Sequence, residues 1–355
     1  MRRRGPRLTR FDPACMLVRD EHTPAAAAVP AVDVHAHLGR WLTADGSWMV
    51  PDVGALVATM DRCNLALLVN LDGRWGDELD ANLARYDRAR PGRFLTFCQL
   101  DWGMLERDGG VGELVASLER SVHAGARGLK VWKDLGLTVR AGGELVLPDD
   151  PRLAPVWDAA GALGVPVLIH VGDPAAFFEP ADRHNERLEE ILRHPSISLA
   201  RHGPGAFRRL IEALEAVVAG HPQTSFVGAH MGCHAEDLAW VSGMLERYRN
   251  FWVDTAARAE IGRQPRAAAR LVAAHPDRVL FGADIFPVDE AEYACYFRLL
   301  ETADEYFPYS AGAPPAPTGR WAVSGLALEP PALARLYRAN ASALLGIDPP
   351  ARLGR

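Results

Sequence analysis

Eight short apolar runs, each bounded by turn residues and followed by a stretch of helical spacing, constrain the fold of this 355-residue chain more than any other feature. They lie at about 32–38, 65–72, 94–102, 126–133, 166–173, 225–232, 251–258 and 279–286. Between them, segments such as 77–90, 111–124, 151–163 and 206–219 carry apolar side chains three and four residues apart. Asp149-Asp150-Pro151 opens one such segment and Gly164-Val165-Pro166 closes it, as helix start and stop signals do. Strands alternating with helices pair in parallel, and eight such units close into a (β/α)8 TIM barrel. A doubly wound sheet is the alternative, but it would not gather the ends of the first, fifth, sixth and eighth strands around one mouth.

The repeat divides the chain into an N-terminal arm (1–31), a barrel (32–305) and a C-terminal extension (306–355). The arm, with its Ala25-Ala26-Ala27-Ala28 run between prolines, reads as a linker or a strap. The extension passes through Pro308 and Pro314-Pro315-Ala316-Pro317 to a predicted helix from Pro331 to Leu345. Its Leu333, Leu336, Tyr337 and Leu344 fit packing against the barrel exterior. The longest connection, Pro174 to Gly205, holds Phe177, Phe178, Arg183, His184, Asn185, Arg187, His194 and His202. It reads as a lid or substrate wall, or as a surface helix from Asp182 to Arg193 with solvated charges.

A net charge of -6 argues against nucleic-acid and anionic-membrane partners. The cysteines, Cys15, Cys63, Cys98, Cys233 and Cys295, are odd in number and lack CxxC spacing, which excludes a disulfide framework. Met1-Arg2-Arg3-Arg4 has the charge of a secretory leader's start. The following residues are interrupted by Asp12, Arg19, Asp20, Glu21 and Pro24, so the expected location is cytoplasmic.

The first run ends Asp33-Val34-His35-Ala36-His37. Side chains alternate along a strand, so His35 and His37 share one side, an arrangement that suits a single metal ion. Four later runs carry a candidate at the same place: Lys130 in ARGLKVWK, His170 in PVLIHVGDP, His230 in SFVGAHMG and Asp284 in VLFGADIFP. Imidazole and carboxylate donors suit zinc, iron or manganese, and a catalytic site leaves one position open for water. A single histidine at a strand end is more often a hydrogen-bonded structural residue. The recurrence from strand to strand is what packing alone does not explain.

On these motifs the chain resembles the amidohydrolase superfamily, in particular the amidohydrolase-related (amidohydrolase 2) group that includes aminocarboxymuconate-semialdehyde decarboxylase. The resemblance spans about residues 32–346, and Tyr337-Arg338-Ala339-Asn340-Ala341 resembles the family's closing segment. It implies that His35, His37, His170 and Asp284 bind one divalent metal, usually zinc, with manganese and iron as alternatives. His230 is then the acid/base that orients or deprotonates the metal's water, with Asp284 beside it in the chemistry. A bound zinc lowers the pKa of its water toward ~7, and an imidazole of pKa ~6.5 is suited to carry the proton.

In binuclear members of the superfamily a lysine on strand four is carbamylated and bridges two metals, and Lys130 sits on the matching strand. The decarboxylase-like group manages with one metal. There Lys130 as an ammonium would bind a substrate carboxylate, or form a structural ion pair with Asp101 or Asp254. Arg74, Trp132, Asp173, Arg183 and Arg258 are further candidates for substrate contact, and Trp41, Trp48 and Trp75 for pocket walls.

The leading expectation is a metal-dependent hydrolase acting through a metal-bound water on an amide, lactone or related bond of a small, carboxylate-bearing substrate. The alternative is a non-oxidative decarboxylase of an unsaturated or aromatic acid, and a third reading is a non-catalytic small-molecule-binding barrel. The partner expected in each case is a small molecule, and a homodimer through arm or tail is compatible with all three.

Overall fold

The computed structural model describes residue 7 and residues 15–311 and 319–349; the basic start at Met1-Arg2-Arg3-Arg4 and the Pro314-Pro315-Ala316-Pro317 run lie outside the described residues. All eight apolar runs form strands: β1 (Ala31–Ala36), β2 (Leu65–Asn70), β3 (Phe94–Thr96), β4 (Leu129–Val131), β5 (Val167–Ile169), β6 (Phe226–Gly228), β7 (Phe251–Asp254) and β8 (Val279–Leu280). Strands β1-β2-β3 form one parallel ladder and β4 through β8 another. A parallel bridge between Cys98 and Leu129 joins β3 to β4. The Val34 amide donates to the Phe281 carbonyl at 3.0 Å, joining β8 to β1. The result is the (β/α)8 barrel.

Helices follow the strands in turn: α1 (Val53–Arg62), α2 (Gly76–Leu83), α3 (Gly110–Ala124), α4 (Ala154–Ala162), α5 (Ala206–Gly220), α6 (Leu238–Arg247), α7 (Pro265–Ala274) and α8 (Glu290–Glu301). Aspartates start three of them by accepting the free amides of the first turn: Asp52 at α1, Asp237 at α6 and Asp289 at α8. Trp157, Phe226, Phe251, Phe281 and Phe297 fill the layer between sheet and helices. A second apolar cluster joins Val32, Val34, Leu67, Val69, Leu168, Val227 and Leu280 to Ala341 and Leu345 of the C-terminal helical run. That run covers residues 330–345, and the Asn340 amide donates to the Val279 carbonyl at 2.8 Å where β8 begins. Leu333, Leu336 and Tyr337 are buried as their spacing predicts, but Leu345 takes the buried place expected of Leu344, which is partly exposed.

The runs overshoot the ladders because the chain leaves the sheet just before or at its functional residues. His230 and Met231, past β6, and Asp284, past β8, all have left-handed φ of 57–58°. Such backbone in residues other than glycine is strained and clusters at functional sites. Register shifts also interrupt the β1–β2 pairing between Asp33 and Ala36, so simple alternation does not carry through to His37.

The 174–205 connection contains the helix Leu188–Arg193 rather than one starting at Asp182. Asp182 accepts the His184 amide and Asn185 the Arg187 amide, local turns that compete with helix. Ion pairs tie the segment down: Arg187 to Glu260, Glu186 to Arg263 and Glu189 to Arg320.

Behind the mouth, Asp33 Oδ1 accepts the amides of His35 (2.9 Å) and Ala283 (3.1 Å), and Oδ2 accepts the Tyr293 hydroxyl at 2.6 Å. This buried carboxyl stitches β1 to the turn after β8, and burial pushes its pKa up to about 7. Tyr293→Phe leaves it one donor short inside the core. The expected loss is about 1–3 kcal/mol in urea unfolding; a change within experimental error would show that the contact carries no stability.

Candidate metal centre

His35 and His37 are buried at the end of β1, and in each ring Nδ1 is taken by a carboxylate. His35 Nδ1 lies 2.9 Å from Asp254 Oδ2, and His37 Nδ1 lies 2.7 Å from Asp72 Oδ1. Such a partner fixes ring orientation and tautomer and leaves Nε2 as the ligating atom. Asp284 completes the group: its Oδ1 is 3.4 Å from His37 Nε2 and 3.9 Å from His35 Nε2, and its Oδ2 is 4.0 Å from His230 Nε2. Donor atoms of His35, His230 and Asp284 all lie within 4.8 Å of one another.

His230 is anchored twice, by its amide to Asp254 Oδ1 at 2.7 Å and by its Nδ1 to the Ala256 carbonyl at 2.8 Å. Since a carbonyl only accepts, Nδ1 carries the proton and Nε2 presents a lone pair to the site. The His170 ring packs 4.4 Å from that of His230, and its Nε2 lies 3.5 Å from Asp173 Oδ1.

Burial dominates the electrostatics. It pushes His170 down to about 4 and holds His35 and His230 well below the usual histidine range, so these rings are neutral at neutral pH. Neutral imidazole is the ligating form. Burial also lowers His37, but Asp72 outweighs it and the net shift is upward. Asp284 is raised, chiefly by burial. Among the described residues, both ring nitrogens of His170 and the Oδ1 atom of Asp284 are buried without a hydrogen-bond partner. Buried polar atoms without partners are expensive unless something absent from the protein satisfies them, and a divalent cation would satisfy Asp284 Oδ1 and one nitrogen of His170.

Lys130, buried on β4, has its Nζ 3.3 Å from His35 Nε2. Burial pushes its pKa down to about 8. Of the roles open to it, the ion pair with Asp101 or Asp254 is not formed: Asp101 caps the turn at Trp102–Glu106, and Asp254 is held by His35 and His230. Its Nζ faces the same His35 Nε2 that a metal would take.

Trp132 stands over the cluster, with its ring centroid 5.5 Å from those of His37 and His170 and 5.2 Å from Trp41. Phe286 lies edge-on to His37 at 5.6 Å. Arg258 is buried, its Nε without a partner among the described residues. Arg74 donates to Gln99 and stacks on Trp41 and Trp75, one ring removed from Trp132. Trp48 lies apart, against Tyr86 and beneath Arg40 and Arg85. Arg183, expected at the mouth, is exposed beside His184; Arg187, four residues on, is buried and lines a cavity of about 480 Å³ that reaches Asp284. Asp72, Tyr293, Tyr296 and Phe286 complete the surroundings without having stood out in the sequence, and Asp254, read there as a partner for Lys130, serves His35 and His230 instead.

Among the solved structures similar to the chain as a whole are three decarboxylases. They are 2,6-dihydroxybenzoate decarboxylase from Rhizobium (17% identity, TM-score 0.58, covering 90% of this chain and 99% of that one), and 5-carboxyvanillate decarboxylase LigW from Sphingomonas paucimobilis (15%, 0.56, 90% and 100%). The third is a dihydroxybenzoic acid decarboxylase from Polaromonas sp. JS666 with bound manganese and the inhibitor 2-nitroresorcinol (15%, 0.57, 90% and 97%). No curated protein matches the chain. The Amidohydrolase (Amidohydro_2) family model matches residues 70–347, beginning after His35 and His37. A match over most of the chain, joined to this barrel, means that the chain belongs to the amidohydrolase family.

Proposed function

We propose that the protein is a metal-dependent carboxy-lyase that removes CO2 from a small aromatic or unsaturated carboxylic acid. The observation that carries this reading is the meeting of buried cations, Lys130 and Arg258, with the His/Asp cluster beside the rings of Trp132 and Phe286. The decarboxylases among the similar structures support it over the hydrolytic expectation drawn from the sequence.

His35, His37, His170 and Asp284 would hold the ion. Its donor set of imidazoles and one carboxylate suits zinc, while the Polaromonas relative carries manganese. When bound, a divalent ion supplies fixed positive charge to orient the substrate and stabilise negative charge as it develops. Lys130 and Arg258 bind the carboxylate, and Trp132 and Phe286 hold the planar substrate. The bond from carbon to the carboxyl group breaks, CO2 leaves without the bonding pair, and that pair stays on the carbon. One proton must then reach that carbon. Water supplies it and is left as hydroxide, and His230 relays it through the Nε2 lone pair, because Nδ1 is already committed to the Ala256 carbonyl.

The test is a panel of aromatic and unsaturated acids, amides and lactones, scored for released CO2 and for new carboxylate or amine. CO2 with a product lacking the carboxyl group is expected. A new carboxylate or amine without CO2 would return the site to hydrolysis.

In the same reading Lys130 stays an unmodified amine facing the substrate. Lys130→Met should raise KM for the carboxylate substrate roughly 10–100-fold, the worth of a hydrogen bond to a charged group, while metal content stays near that of the unsubstituted protein. Loss of metal together with activity would assign Lys130 to the metal.

A further inference from the structure

The arm ahead of the barrel is strapped down over only part of its length. The amide and the ring Nδ1 of His22 both meet the buried Asp304 carboxylate, at 2.7 and 2.5 Å. Further on, the Ala27 amide donates to the Cys63 carbonyl and the Ala28 amide to Glu301. Upstream of His22, three consecutive apolar side chains stand out from the chain: Met16 is 88% exposed, Leu17 63% and Val18 103%. Single exposed apolar side chains are ordinary on a protein surface, whereas a contiguous run of them marks contact with something outside the chain.

A groove of about 790 Å³ begins at the same anchor. Ala303 and Glu305, on either side of Asp304 in the chain, line it together with Leu326 and with Ala267 on α7. Its charged groups are Arg266, Arg270 and Glu305, and among the described residues neither arginine makes an ion pair or a hydrogen bond. The groove therefore carries a net positive charge. The arm carries the complement beside its apolar run: Arg19 is taken by Glu21 at 3.4 Å, which leaves Asp20 exposed and without an ionic partner among the described residues. Opposite charges steer two surfaces together and fix their register.

We propose that this face joins two copies of the chain, the arm of each laying Met16, Leu17 and Val18 into the groove of the other, with Asp20 against Arg266 and Arg270. Contact about a two-fold axis needs one surface that carries both halves of the interaction. Arm and groove meet that need, because Asp304 anchors the one and its chain neighbours line the other. Met16 to Val18 lie four to six residues before His22, a reach of roughly 14–21 Å when extended. That is enough to cross an axis beside Asp304. Within one chain the arm leaves both its apolar run and the groove uncovered. A foreign partner would have to match the two features separately, whereas a second copy already carries both.

Analytical ultracentrifugation of the full chain over a range of concentrations should show a monomer–dimer equilibrium. Met16→Ser, Leu17→Ser and Val18→Ser together should weaken it at least about 100-fold, since burying each apolar side chain is worth roughly tenfold or more. These side chains are exposed in the single chain, so metal content and the circular dichroism spectrum should not change. Arg266→Glu with Arg270→Glu should weaken association roughly 5–10-fold, and adding Asp20→Arg should recover it. A monomer at every concentration, or a dimer that the triple serine replacement does not weaken, would overturn the proposal. So would a charge reversal that has no effect or that Asp20→Arg does not recover.

Discussion

His230→Asn is expected to keep its metal while turnover falls by roughly 10²–10⁴-fold, the usual contribution of a positioned acid or base. The backbone amide of residue 230 still reaches Asp254 Oδ1, so the turn after β6 is retained. What disappears is a proton carrier at Nε2, since an amide does not titrate near neutral pH. Asp284→Ala should fail differently and lose both metal and turnover. The Asp284 carboxylate lies within 4.0 Å of the Nε2 atoms of His35, His37 and His230, and its charge offsets that of a cation. Metal analysis and turnover measured side by side distinguish the two. Metal lost from His230→Asn and kept in Asp284→Ala would mean that the roles are exchanged.

A comparably large effect is expected at Asp254, which touches no metal. Its Oδ1 accepts the amides of His230 (2.7 Å) and Ala256 (3.1 Å), while its Oδ2 faces His35 Nδ1 at 2.9 Å. In Asp254→Asn the side-chain oxygen must stay with the two backbone donors, which turns the NH2 group toward His35. Nδ1 then has to accept, the ring proton moves to Nε2, and the lone pair needed for a metal is gone. Metal affinity should fall about 10–100-fold, as when other carboxylate partners of ligating histidines are removed, with the unfolding midpoint of the metal-free protein little changed. Competition against a fluorescent chelator reads the affinity. An unchanged affinity would show that His35 does not depend on this partner for its tautomer.

Much of this was legible in the sequence because the barrel repeats one local pattern eight times. Apolar runs bounded by turn residues located the eight barrel strands but not the small hairpin of Arg140–Ala141 and Glu144–Leu145, and the ligand candidates stood out because each sits at or near the end of a run. The exact strand ends were not legible, since nothing in the composition of GAHMG or FGADIFP announces the left-handed backbone at His230 and Asp284. Nor were the partners of the ring nitrogens: Asp72 and Asp254 follow apolar runs as ligand candidates do, and only tertiary geometry tells which nitrogen they face. Arg183 and Arg187 lie in one charged segment. The Asx turns at Asp182 and Asn185 expose the first and bury the second, a distinction that charge pattern does not contain.

The most direct test is the divalent-metal content of the purified protein by plasma mass spectrometry, compared with that of His35→Ala. About one ion per chain, as a single cluster of histidines and one carboxylate requires, and a sharp fall in His35→Ala are the expected results. Full metal content in His35→Ala, or two ions per chain, would contradict a mononuclear centre at the end of β1.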